Sequence, residues 1–134
     1  MVKLTRLSFL FLFIFMLFVS CSKEAGDGGN SSITGSIIVH DYNSSYTVLN
    51  GIYDGADEEV HIIYGDDLSY SDRIRTNYNG VYEFKFLRPG DYTIYAYSED
   101  STLTLPSGKY AVIRQVKITS NHQTVKADDM IIFN

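Results

Sequence analysis

From Ile33 onward, apolar and polar residues alternate with a period of two in run after run. That period gives one apolar face to a strand and none to a helix, so the chain is confined to β structure. Ile33, Gly35, Ile37 and Val39 share one face, and Thr34, Ser36, Ile38 and His40 share the other. Val60, Ile62 and Tyr64 alternate with Glu59, His61 and Ile63. Tyr82, Phe84 and Phe86 alternate with Val81, Glu83 and Lys85, and Tyr92, Ile94 and Ala96 with Thr93, Tyr95 and Tyr97. Further strands are expected at 110–119 and 125–133, with a weaker one at 71–76. In the 125–133 run Asp128-Asp129 breaks the phase, as a bulge would. Tyrosine and phenylalanine number 11 and 8 with no tryptophan, which suits a pleated surface.

Turn signals separate the runs. Asn79-Gly80 supplies positive φ, and Arg88-Pro89-Gly90-Asp91 joins a proline-fixed φ to a permissive glycine. Ser120-Asn121-His122 links the last two runs. The expected fold is all-β: one six- to seven-stranded antiparallel β-sandwich over residues 33–134. Tyr82, Phe84 and Phe86 are expected to point inward as a row, with Leu87 closing the core and Tyr92 returning into it. Phe84→Ala should then cost about 3–5 kcal/mol. Residues 42–56 lack the alternation. They read either as a long functional loop or, over 46–53, as an extra edge strand.

The beginning of the chain is different in kind. Lys3 and Arg6 precede an apolar run from Leu7 to Val19 broken only by Ser8. A basic start, a short apolar stretch and a small residue at its end describe a secretory signal peptide over 1–20. The run is too short to span a bilayer, which needs about 20 residues. Residues 21–32 are rich in glycine and serine and read as a flexible tether, roughly 20 Å long as a coil.

Leu17-Phe18-Val19-Ser20-Cys21 resembles the lipobox of bacterial lipoproteins, with Phe18 where that family has leucine. The resemblance implies cleavage before Cys21, a diacylglycerol on its thiol and anchoring in an outer membrane. Several acyl chains anchor firmly where one does not. Ser22 follows, so no aspartate signal for inner-membrane retention is implied. Lys23, Glu24 and Asp27 resemble the charged signal that sends some Bacteroidetes lipoproteins to the surface, and read equally as an ordinary polar tether. The domain therefore faces either the outside or the periplasm.

The stretch from Asn79 to Ile94 resembles the signature of carboxypeptidase regulatory-like domains and the related Cna-B and transthyretin-like sandwiches. The matching residues are Gly80, Tyr82, Phe84, Leu87, Pro89, Gly90 and Tyr92. The resemblance implies a prealbumin-like sandwich and assigns these residues to structure. It implies no peptidase centre. The signature of the hydroxyisourate-hydrolysing relatives is missing from the closing Met130-Ile131-Ile132-Phe133-Asn134.

Little in the chain points to catalysis. His40, His61 and His122 stand apart in sequence; His40 and His61 fall on expected outward faces and His122 in a turn, so solvated histidines are expected. Cys21 is the single cysteine, and no G-x-S-x-G elbow occurs. Asp54, Asp57, Glu58 and Glu59 cluster before a strand and are candidate calcium ligands, or simply a solvated acidic rim. Tyr95 and Tyr97 share an outward face, Tyr42, Tyr46, Tyr53, Tyr70 and Tyr78 fall in or near loops, and exposed tyrosines stack on sugars or anchor protein contacts. Asp100-Ser101-Thr102 resembles a short O-glycosylation motif of Bacteroidetes envelope proteins, which would modify Ser101. The net charge of −5 argues against nucleic acid. The expectation is a non-enzymatic outer-membrane lipoprotein without cofactor, its sandwich a binding or spacer module for an envelope protein or glycan. The alternative is a calcium-dependent glycan-binding or adhesion protein of the cell surface.

Overall fold

The computed structural model of the protein describes residues 24–134; the signal segment and Cys21 lie outside the described residues. The strands are β1 (Asp27–Tyr42), β2 (Leu49–Asp54), β3 (Glu59–Tyr64), β4 (Asp72–Arg75), β5 (Val81–Leu87), β6 (Gly90–Glu99), β7 (Lys109–Ile118), β8 (Thr124–Lys126) and β9 (Met130–Phe133). They form two facing sheets. One is ordered β4-β3-β6-β7, with every pair antiparallel. The other is built on the long β1, which pairs antiparallel with β2 and β5.

The all-β, two-sheet expectation holds, with one open alternative resolved and two differences. The segment 42–56 contributes β2, so its edge-strand reading is the one the fold adopts. The final run divides into β8 and β9 around the exposed Asp128-Asp129, which gives nine strands among the described residues. Both of these strands run parallel to β1, so the sandwich is not wholly antiparallel. Their direction follows from the connection: after β7 the chain crosses from one sheet to the other at 119–123. Ser31 fixes that crossing, its hydroxyl donating to the Ser120 carbonyl at 2.9 Å and accepting from the Gln123 amide at 3.1 Å.

The core follows the alternation. Ile33, Ile37 and Val39 of β1 face Val60 and Ile62 of β3 and Tyr92, Ile94 and Ala96 of β6, with Tyr82, Phe84, Met130 and Ile132 filling between. One member of the expected inward row is misplaced. Phe86 is 71% exposed, while Leu87 beside it is buried. Its φ of 60° reverses the pleat for one residue, so Lys85 and Phe86 both face out and Leu87 regains the core.

Strand β1 begins at Asp27, inside the glycine-serine stretch read as tether. Ala25 packs against the core edge, and the Gly26 carbonyl accepts from the Arg88 amide at 2.9 Å. Gly90 explains the close approach, because a Cβ there would come within 2.7 Å of the Ala25 Cβ.

Candidate functional site

The signature residues build the scaffold. Gly80, at φ 70°, turns β5 into the sheet, where a Cβ would meet the Ile37 carbonyl at 2.5 Å. Tyr82, Phe84, Leu87 and Tyr92 are buried. The Tyr92 hydroxyl donates to the Arg88 carbonyl at 2.6 Å and thereby closes the turn that holds Pro89 and Gly90.

The acidic rim is arranged around arginines. Arg75 Nη1 lies 3.3 Å from Asp57 Oδ2, and its Nη2 lies 3.7 Å from Glu59 Oε2. Arg73 Nη1 donates to both Glu59 oxygens at 3.3 Å. Burial pushes the Glu58 carboxyl up, against the pull of Arg75. Asp54 ends β2, opposite Ile38. Among the described residues no three His, Cys, Asp or Glu side chains are grouped as a metal would need. Asp54, Asp57, Glu58 and Glu59 are thus neighbours in sequence without forming one coordination shell.

The outward face of the β4-β3-β6-β7 sheet carries a more organised group. Register places Arg73, His61, Tyr95 and Ile113 directly opposite one another across its four strands. His61 and Tyr95 stack with ring centres 4.7 Å apart and planes 7° from parallel. Tyr70 stands edge-on to His61 at 5.0 Å and Tyr97 at 5.8 Å. Tyr97 is also edge-on to Tyr95, at 5.6 Å. Such pairs stabilise by more than the area they bury. His61 is consequently only 5% exposed, although it lies on the sheet's outer face. This corrects the expectation of a solvated His61: the outward residues of β3 and β6 cover one another. His61 Nε2 lies 3.0 Å from Glu59 Oε1, and its Nδ1 is buried without a hydrogen-bond partner among the described residues. Burial, with Tyr97 and Glu59 adding, pushes the Tyr95 hydroxyl up.

Tyr70, Tyr97 and Ile113 remain about half exposed around this group. The result is a fixed aromatic surface with Glu59, Arg73 and Arg75 along one side. The sequence pointed to Tyr95 and Tyr97 as a face and to Tyr70 only as one of several loop tyrosines, and it missed His61. The overlooked signal is Val60-His61-Ile62-Ile63, where the histidine interrupts an otherwise apolar run.

The remaining candidates lie elsewhere. Ser101 is in the turn after β6, half-buried, beside Asp100. The His122 amide donates to Asn30 at 3.2 Å. His40 packs against Phe133 on the other sheet, 6.1 Å between centres. Residues 43–48 form the loop before β2, and the Tyr46 hydroxyl donates to Glu99 at 3.0 Å.

No family model matches the chain, and no curated protein matches it. Among solved structures it is similar to a proposed carbohydrate-binding protein from Pseudomonas aeruginosa. The two share 12% identity over 82% of this chain and 92% of that one, with a TM-score of 0.46.

Proposed function

We propose that the protein is a non-enzymatic binding module of the bacterial envelope, anchored through Cys21, that takes glycans on the aromatic surface of the β4-β3-β6-β7 sheet. The observation carrying this reading is the group His61, Tyr70, Tyr95 and Tyr97. Its rings are held by mutual packing, so little side-chain freedom is lost when a ligand covers them. Half-exposed tyrosines offer apolar faces to sugar C–H groups and hydroxyls to sugar oxygens. Glu59, Arg73 and Arg75 add acceptors and donors at the border, as orienting polar groups do in ligand sites. Calcium has no part in this reading, because Asp57 and Glu59 already face Arg73 and Arg75. The anchor rests on the sequence: a signal-like start, the lipobox resemblance and one cysteine placed at its end.

Two measurements test the proposal. A panel of neutral and acidic oligosaccharides is titrated while amide shifts are followed by NMR; shifts confined to β3, β4, β6, residue 70 and the neighbourhood of Ile113 are expected. No shift with any saccharide, or shifts elsewhere, would reject the site. Cys21→Ser should move the protein from the membrane pellet to the soluble fraction, and its staying in the pellet would reject the anchor.

A further inference from the structure

Among the described residues, strand β2 is an unguarded edge strand. Among the described residues it pairs only with β1. Val48, Leu49, Ile52 and Tyr53 are each between 43% and 57% exposed. No charged side chain occurs between Asp41 and Asp54, although the chain carries a net charge of −5. Natural sheets ordinarily protect a free edge with lysine, proline or inward charges, and this one has none of them. In an acidic molecule, an uncharged strip is also where two copies approach without repulsion.

The order of the side chains identifies the occupant. Val48-Leu49-Asn50-Gly51-Ile52-Tyr53 reads the same way from both ends: two apolar residues, two small or polar ones, two apolar residues. We propose that β2 pairs antiparallel with β2 of a second copy of this chain, about a two-fold axis at the centre of the Asn50–Gly51 pair. In that register Leu49 meets Ile52 of the second copy and Asn50 meets Gly51, and Val48, just before the strand, meets Tyr53, each contact occurring twice. Every large apolar residue of the strand gains an apolar partner.

The faces agree with this register. Ile52 lies opposite His40 and Leu49 opposite Tyr42, and the register shift between Asp41 and Tyr42 brings both onto the outer face of the sheet. Leu49 and Ile52 of the second copy would therefore meet on one side. Gly51 leaves the centre open, since a Cβ there would meet nothing within 4 Å. A foreign strand could use the same edge, but only a second copy exploits the symmetry.

The test is sedimentation equilibrium on the chain as expressed, in density-matched detergent. The wild type should be a dimer. Leu49→Lys and Ile52→Glu should each raise the dissociation constant at least about tenfold, by placing a charge opposite an apolar side chain. The double variant Leu49→Lys/Ile52→Glu should dimerise again, because each introduced lysine then faces an introduced glutamate. A monomeric wild type, single variants as dimeric as the wild type, or a double variant that stays monomeric would overturn the proposal. Hydrogen exchange on the wild type gives a readout free of mutation: the β2 amides should slow as concentration rises, and exchange independent of concentration would contradict the pairing.

Discussion

The Gly26 amide donates a hydrogen bond to the Tyr92 hydroxyl at 2.9 Å, across 66 positions of sequence. The same hydroxyl donates to the Arg88 carbonyl at 2.6 Å. One buried oxygen thus closes the Pro89-Gly90 turn and fastens the start of the domain to it. Tyr92→Phe removes both bonds and leaves a buried amide and carbonyl without partners. The expected loss is about 1–3 kcal/mol, read as a lower urea midpoint. Hydrogen exchange at Gly26 should accelerate in the same variant.

The opposite result is expected at Tyr82. Its hydroxyl is buried without a hydrogen-bond partner among the described residues, and burial pushes its pKa up to about 12. Tyr82→Phe deletes an unsatisfied polar group at nearly constant shape. Its unfolding free energy should match the wild type or exceed it by up to about 1 kcal/mol. The contrast between the two tyrosine-to-phenylalanine changes, measured in one series, separates a hydrogen-bonded hydroxyl from an idle one.

Phe86 holds a left-handed backbone while its side chain is largely in water. A non-glycine residue loses about 1–2 kcal/mol there, and glycine returns some of the gain as chain entropy. Phe86→Gly should therefore stabilise the domain by about 0.5–1 kcal/mol, whereas Phe86→Val should destabilise it. Thermal melts of the two variants check the sign.

Asp100 ties down the turn after β6. Its carboxylate accepts from the Thr102 hydroxyl and from the amides of Thr102, Thr104 and Leu105. Those bonds, the Thr102 hydroxyl first, lower its pKa to about 2. A carboxyl depressed in the folded state contributes stability above the unfolded value near 3.9, and loses that contribution as pH falls through about 2. Titration followed by NMR should find Asp100 ionised well below pH 3. Asp100→Asn should flatten the acid limb of the stability profile.

The alternation of Ile33, Ile37 and Val39 and of Tyr92, Ile94 and Ala96 made the core legible, because period two leaves a strand only one choice of face. Phe86 was not legible, since a single positive φ shifts the phase and no residue type announces it. The parallel direction of β8 and β9 depends on where the chain crosses between sheets, which local pattern does not encode. His61 was misread for a different reason. Its neighbours across the sheet, Tyr95 and Arg73, come from distant segments, so the packing that buries it exists only once the register is set. Tyr95 and Tyr97 were therefore visible as a shared face and Tyr70 as a loop tyrosine, while the part of His61, and the grouping of all four rings, were not.

The most direct test of the glycan-binding surface compares the wild type with Tyr97→Ala in saccharide titrations read by tyrosine fluorescence, which no tryptophan obscures. Tyr97 is half exposed, so its removal should change the unfolding free energy by no more than about 0.5–1 kcal/mol. Saturable binding by the wild type, weakened at least about tenfold in the equally folded variant, is the expected result. Binding of equal strength in both proteins, or in neither, would contradict it.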